Sequence, residues 1–290
     1  VLHGVQEGNS TVEDLLELCW LYKSNINFLR YFIDENERKK VKELSKQILA
    51  ISNSWLEIIS KIDKRNRPEY FNKKYKEYES ILDCHWFLAK EIPKLKEMVN
   101  FFENDQKALK QDSNIIFYKS LATVINAIDN RLEFRGRDSL GISIQLCMNN
   151  FNNNVFENYV SPDMREQFYY EKNGNTGILT FIFKTANVIG SLGDNARSLK
   201  DLIKKNVTLK KAINNTKCES GSIVIHTRWA SVGEVNISNC HPITNAQNGK
   251  DIKTPLILTS MNGDIYNYKE VIASCSKNNY KNYDKECTTD

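Results

Sequence analysis

Near Arg131 the apolar residues of this chain change their spacing, from every three or four positions to every second one. A period of 3.6 residues buries one stripe of a helix, whereas a period of two buries one face of a strand, so the shift divides the chain into two kinds of structure. Before it, Val41, Leu44, Ile48, Ile51, Trp55, Ile58 and Ile62 alternate 3-4-3-4-3-4, the seam of a coiled coil or of an antiparallel helical hairpin. After it, Leu140, Ile142, Ile144 and Leu146 alternate with Gly141, Ser143, Gln145 and Cys147, a half-buried strand. The expected class is α+β, with a helical block over residues 1–112 and an α/β part over 113–290.

Three long helices are expected in the first part. Thr11 reads as an N-cap with Glu13 and Asp14 in the first turn, and Leu15, Cys19, Tyr22, Ile26, Leu29 and Ile33 continue that stripe. The 41–62 seam forms the second helix, ended by Arg65-Asn66-Arg67-Pro68, and is expected to pack against its two neighbours in the chain. A third starts near Glu69 and is bent or interrupted at Pro93. His85 beside Cys84 has no second pair of ligands nearby, so it reads as a packed histidine and not a metal corner. Beyond Asp112, Phe117, Leu121, Val124 and Ile128 make another amphipathic helix. Residues 148–175 read as loop, Gly177–Phe183 as a strand, Ala196–Ile213 as one or two helices, Ile223–His226 as a strand, and Pro255–Thr259 as a strand running into an Asn-Gly turn.

Composition limits the partners. With 290 residues, 41% of them apolar, the chain can bury a true core. Its 40 basic against 36 acidic side chains leave a charge of +4, too little over this length to indicate nucleic acid. Seven cysteines, with no Cys-x-x-Cys pair, suggest reduced thiols and no zinc or redox couple. No apolar run of membrane-spanning length and no leader stands out, so a cytoplasmic protein without a membrane partner is expected. The Asn-x-Ser/Thr triplets at Asn9, Asn206, Asn214 and Asn236 then read as chance matches in an Asn-rich chain. No cofactor and no metal are called for.

Chemistry concentrates in three stretches that are expected to converge: Arg135-Gly136-Arg137-Asp138-Ser139-Leu140-Gly141-Ile142, the run SIVIHTRWASVGEVNISNCHP from Ser222 to Pro242, and Met261-Asn262-Gly263-Asp264. Taken in order, with CTTD at the end, they resemble the glutaminase domain of the glutamine–fructose-6-phosphate aminotransferase (glucosamine-6-phosphate synthase) family, which belongs to the N-terminal-nucleophile amidotransferases. The match covers about residues 113–290, and the helical block looks like an insertion. What the resemblance implies is a four-layer α/β/β/α sandwich, incomplete here, in which a thiol removes ammonia from glutamine. A separate sugar-isomerase domain, absent from this chain, would use that ammonia on fructose 6-phosphate in amino-sugar synthesis, and the full-length protein would be a homo-oligomer.

By the same resemblance Arg228 clamps the α-carboxylate of glutamine, which suits the two-point fork of a guanidinium. Asp290, with Thr289 before it, meets the α-ammonium. Asn262 and the backbone N–H of Gly263 form the oxyanion hole, Trp229 closes over the substrate, Ser231 helps hold the carboxylate, and Arg135 and Asp138 position the nucleophile's end of the chain. Each also has a plainer reading: Arg135 and Asp138 as an ion pair, Trp229 as a core aromatic, Asn262-Gly263 as a hairpin turn. The family's nucleophile is a cysteine at the mature N-terminus, its α-amino group of pKa about 8 acting as base. This chain begins Val1-Leu2-His3-Gly4, so the expectation is a fragment of a longer chain. Cys240 reads as a buried thiol and not a substitute nucleophile, and Val232 stands where the amino-sugar enzymes commonly have histidine. The alternative is a catalytically inactive glutamine-binding or regulatory domain whose helical insert docks a partner.

Overall fold

The computed structural model describes residues 11–149, 164–187, 191–215, 218–231, 233–245, 256–277 and 287. Contacts divide the chain into two compact units, Val1–Asn100 and Phe101–Asp290, the first helical and the second mixed, so the class is α+β.

The first unit carries α1 (Val12–Leu21), α2 (Asn25–Ile33), α3 (Glu35–Ser60) and α4 (Pro68–Trp86). Thr11 and Asp14 cap α1 reciprocally: the Thr11 hydroxyl oxygen accepts the Asp14 N–H at 3.2 Å, and the Asp14 carboxylate accepts the Thr11 N–H at 2.8 Å. The stripe expected to run unbroken from Leu15 to Ile33 is two helices. Ser24 interrupts it by donating its hydroxyl to the Leu21 carbonyl at 2.7 Å and accepting the Asn27 N–H at 3.3 Å, a local alternative to the helical ladder. Val41, Ile48 and Ile51 of α3 bury against Leu15 and Cys19 of α1 and Ile81 and Cys84 of α4, so this part of the seam is covered within the unit, whereas Ile58 near its end is 48% exposed. Nδ1 of His85 lies 2.9 Å from the Ser45 carbonyl oxygen and 3.1 Å from its hydroxyl. No group of side chains able to hold a metal occurs among the described residues.

α4 passes through one π-helical turn, Phe87–Glu91, into α5 (Ile92–Phe102). There the Ile92 N–H reaches back five residues to the Phe87 carbonyl. Pro93 follows. Its ring cannot share space with the carbonyl four residues before it and it has no N–H to donate, so a wider turn accommodates it without ending the helix.

The second unit holds α6 (Asp112–Ala127), β1 (Ser139–Asn149), β2 (Glu166–Asn173), β3 (Thr176–Thr185), α7 (Asp194–Lys205), α8 (Val207–Asn215), β4 (Cys218–Arg228), the short β5 (Ile243–Thr244) and β6 (Leu258–Thr259), and α9 (Tyr268–Lys277). The larger sheet has the order β2-β3-β1-β4, antiparallel throughout, and β5 pairs with β6. β2 lies where loop was expected. Asn173 pairs with Thr176, and Gly174 between them has φ +59°, so the Asn-Gly-Asn run is the hairpin turn and not the middle of a loop. On one face of the sheet Leu140, Ile142, Ile144 and Leu146 are fully buried beside Phe181 and Phe183. The Thr185 hydroxyl on this face donates to the carbonyl of Asn195 in α7 at 3.3 Å, and α6 packs on β4. The opposite face, which carries Gly141, Lys184, His226 and Arg228 at one end, meets the chain around His241.

Candidate functional site

Two glycines let the first motif stretch press against the second. A Cβ added to Gly136 would stand 2.7 Å from the carbonyl carbon of Thr227 and 2.9 Å from the nitrogen of Arg228, and one added to Gly141 would overlap the carbonyl oxygen of His241. Backbone therefore meets backbone at both places, which a side chain would prevent. Hydrogen bonds fasten the same approach. The Asp138 N–H donates to the Arg228 carbonyl at 3.1 Å, while its carboxylate accepts the Ala230 N–H at 2.8 Å. The third stretch joins through Ser231, whose hydroxyl donates to the Asp264 carboxylate at 3.3 Å.

At the end of β4 these stretches surround a cleft of about 440 Å³, within the range of small-ligand sites. Arg135 comes from the turn after α6, Arg228, Trp229 and Ser231 from the end of β4, and Asn262, Gly263 and Asp264 from the segment after β6. Arg228 is buried at 6% exposure, with Nη1 3.4 Å from the Glu234 carbonyl oxygen that accepts from it. The walls thus carry two guanidiniums and the carboxylate of Asp264.

His226 and His241 also line the cleft, with ring centroids 4.7 Å apart. Burial is the main cause pushing both imidazoles below their ordinary pKa. His241 is held down to about 4, with His226, Arg228 and Lys184 adding repulsion, and His226 is lowered further by Arg228. Both rings are therefore neutral near pH 7, and Arg228 keeps the positive charge of this wall. Among the described residues Nδ1 of His226 is buried without a hydrogen-bond partner, whereas Nδ1 of His241 accepts the Met261 N–H at 3.4 Å.

Several alternatives left open by the sequence are decided here. Trp229 is 64% exposed at the cleft and is not a core aromatic. Among the described residues no ion pair joins Arg135 to Asp138, since the Asp138 carboxylate is turned to the Ala230 N–H. Asn262-Gly263 is not a hairpin turn, because the chain leaves β6 through it towards α9. Among the described residues a Cβ added to Gly263 would meet nothing within 4 Å. Ser231 has its one proton committed to Asp264, so its hydroxyl would have to turn to donate to a bound carboxylate. Cys240 is 1% exposed, its thiol pushed up by burial and directed at the Thr185 carbonyl at 3.8 Å. Asp290, Thr289 and Val232 lie outside the described residues.

Sequence reasoning placed His226, His241 and Asp264 in its motif stretches but gave them no role. The signal was present, since two of the four histidines stand inside HTRWA and CHP. No protein-family model, no curated protein and no solved structure matches this chain.

Proposed function

We propose that the second unit is a glutamine amidotransferase domain of the N-terminal-nucleophile type, of the amino-sugar branch, which binds glutamine so that its hydrolysis supplies ammonia for glucosamine 6-phosphate synthesis. One observation supports this reading above the rest: three stretches far apart in sequence line a single cleft, with buried Arg228 and the open Asn262-Gly263 segment both in its walls. In this reading the four-stranded sheet with α6 and α7 is one half of an α/β/β/α sandwich, the helical unit is an insertion, and a sugar-isomerase domain elsewhere consumes the ammonia.

The roles follow from charge. Arg228 takes the α-carboxylate at two points in a water-poor wall, where a charge-assisted fork contributes ~1.5–3 kcal/mol. Asp290 is assigned the α-ammonium, which fixes the amino acid at both charged groups and leaves the amide free to be presented. Asn262 and the Gly263 N–H would donate to the oxygen that gains charge when the amide carbon is attacked, and open space over Gly263 lets that oxygen approach. The neutral imidazoles add no competing cation. The attacking thiol would come from outside the described residues, because none of the described cysteines lines the cleft.

Burial of Cys240 with a raised thiol favours a second reading for the chain as it stands, glutamine binding or regulation without hydrolysis. Titration calorimetry and thermal unfolding with L-glutamine test the shared part of both. Binding should raise Tm, by about 2.7 kcal/mol of stabilisation at a hundredfold excess over Kd. L-Glutamate, which lacks the amide, and the Arg228→Lys variant should bind at least about tenfold more weakly. No heat and no shift with glutamine would end both readings. Glutamate release, measured alongside binding, separates hydrolysis from binding alone.

A further inference from the structure

We propose that His241 is a positioning residue that sets the Asn262-Gly263 wall of the cleft, by accepting the backbone N–H of Met261 at an unprotonated Nδ1. Its effect on glutamine rests on the reading above, while the hydrogen bond and the tautomer stand independently of it.

Met261 directly precedes Asn262, and its N–H lies 3.4 Å from Nδ1 of His241. An N–H can point at a ring nitrogen only if that nitrogen carries a lone pair, so the imidazole is neutral with its proton on Nε2. The surroundings favour that state. His241 is 4% exposed, packs tilted against His226 and is repelled as a cation by His226 and Arg228 on β4 and Lys184 on β3, with only a backbone group of Thr259 favouring the charge.

The ring is also anchored. Its own carbonyl oxygen is pressed over Gly141 where no side chain fits, and the chain next to it enters β5, which pairs Ile243 with Thr259 of β6. His241 therefore ties the end of β6 and the residue before Asn262 to the central strand of the sheet. Among the described residues Met261 has no other hydrogen bond from its N–H. A ring that only filled space would be replaceable by another aromatic side chain. One that holds Met261 would not.

The experiment uses the protein as it exists, with long-range nitrogen–proton NMR of the four histidines, and the variants His241→Asn and His241→Phe. Nδ1 of His241 should be unprotonated at pH 7, and the Met261 amide should be protected from hydrogen exchange. His241→Asn, whose side-chain oxygen replaces the acceptor, should keep that protection and bind glutamine within about threefold of wild type. His241→Phe should lose the protection and bind tenfold or more weakly while remaining folded by circular dichroism. A protonated Nδ1 or an unprotected Met261 amide in the unaltered protein overturns the proposal, whatever the variants do. So does equal glutamine affinity in His241→Phe and wild type, or equal loss in both variants. If the unaltered protein binds no glutamine, the functional reading falls, and the tautomer with the Met261 protection alone decides this inference.

Discussion

Gly141 and Gly263 both lie in the motif stretches, yet the backbone demands opposite things of them. At Gly141 a methyl group would overlap the His241 carbonyl oxygen, and neither partner is a flexible side chain that could move aside. Gly141→Ala should cost ~3 kcal/mol or more, read as a lost or strongly lowered Tm. At Gly263 the same methyl group meets open space, so Gly263→Ala should change stability by no more than ~0.5 kcal/mol. It should weaken glutamine binding about tenfold, the scale of ~1–3 kcal/mol for a methyl group in a ligand's path. Equal stability losses at the two positions would show that Gly263 serves the fold and not the cleft. His241 makes a pH prediction. Its pKa is lowered in the folded protein from 6.5 to about 4, so the unfolded chain binds the proton more readily. Its contribution is complete above pH 6.5, declines as the pH falls from 6.5 to 4, and is gone below, a loss on the order of 3 kcal/mol. The fall in Tm between pH 7 and pH 4 should therefore be steeper in wild type than in His241→Asn, and equal slopes would contradict this.

The segment leading into α6 is held to α6 and α8 by a carboxylate that no periodicity argument could find. Glu103, at 2% exposure, accepts the Asp105 N–H at 2.9 Å with one oxygen, and with the other the Tyr118 hydroxyl at 3.2 Å and the Asn214 amide at 2.8 Å. The carboxylate next to it also pushes the Tyr118 phenol up, after burial itself. Glu103→Ala leaves the buried Tyr118 hydroxyl without its acceptor and should cost ~2–4 kcal/mol, measured by urea unfolding. A loss below ~1 kcal/mol would mean that water replaces the carboxylate. α3 and β1 were legible from the spacing of their apolar residues, but β1 is not the half-buried strand that spacing suggested: Ser139, Gly141 and Ser143 on its second face are buried as well. β2 was not legible, since Glu166-Gln167-Phe168-Tyr169-Tyr170 mixes charge and aromatics and the Asn-Gly-Asn that ends it looks the same in a loop and in a hairpin. The break before α2 was missed because Ser24 acts through hydrogen bonds to Leu21 and Asn27 that apolar spacing does not report, and beyond it Phe28 and Tyr31 are buried while Ile26 and Ile33 of the expected stripe are exposed.

Each of the two units has apolar residues buried within itself, Leu15, Ile48 and Ile81 in the first and Ile142, Ile144 and Phe181 in the second. Calorimetry with glutamine should accordingly raise the unfolding component of Phe101–Asp290 and leave that of Val1–Asn100 in place. A shift confined to the helical component would move the ligand out of the cleft and overturn the proposed function. The sequence by itself determined the change from helical to strand period and named the three stretches that carry chemistry, because hydrophobic spacing and residue type are local properties. It also offered Arg228 and Asn262-Gly263 as a pair without giving any reason, beyond resemblance, for them to meet. Only the tertiary structure decided that they share a cleft and that Trp229 is exposed beside it. The same holds for His226 and His241, which lose their charge because burial and Arg228 act on them together. Those outcomes depend on close backbone approach at Gly136 and Gly141 and on desolvation, and both are fixed by what surrounds a residue in space and not by its neighbours along the chain.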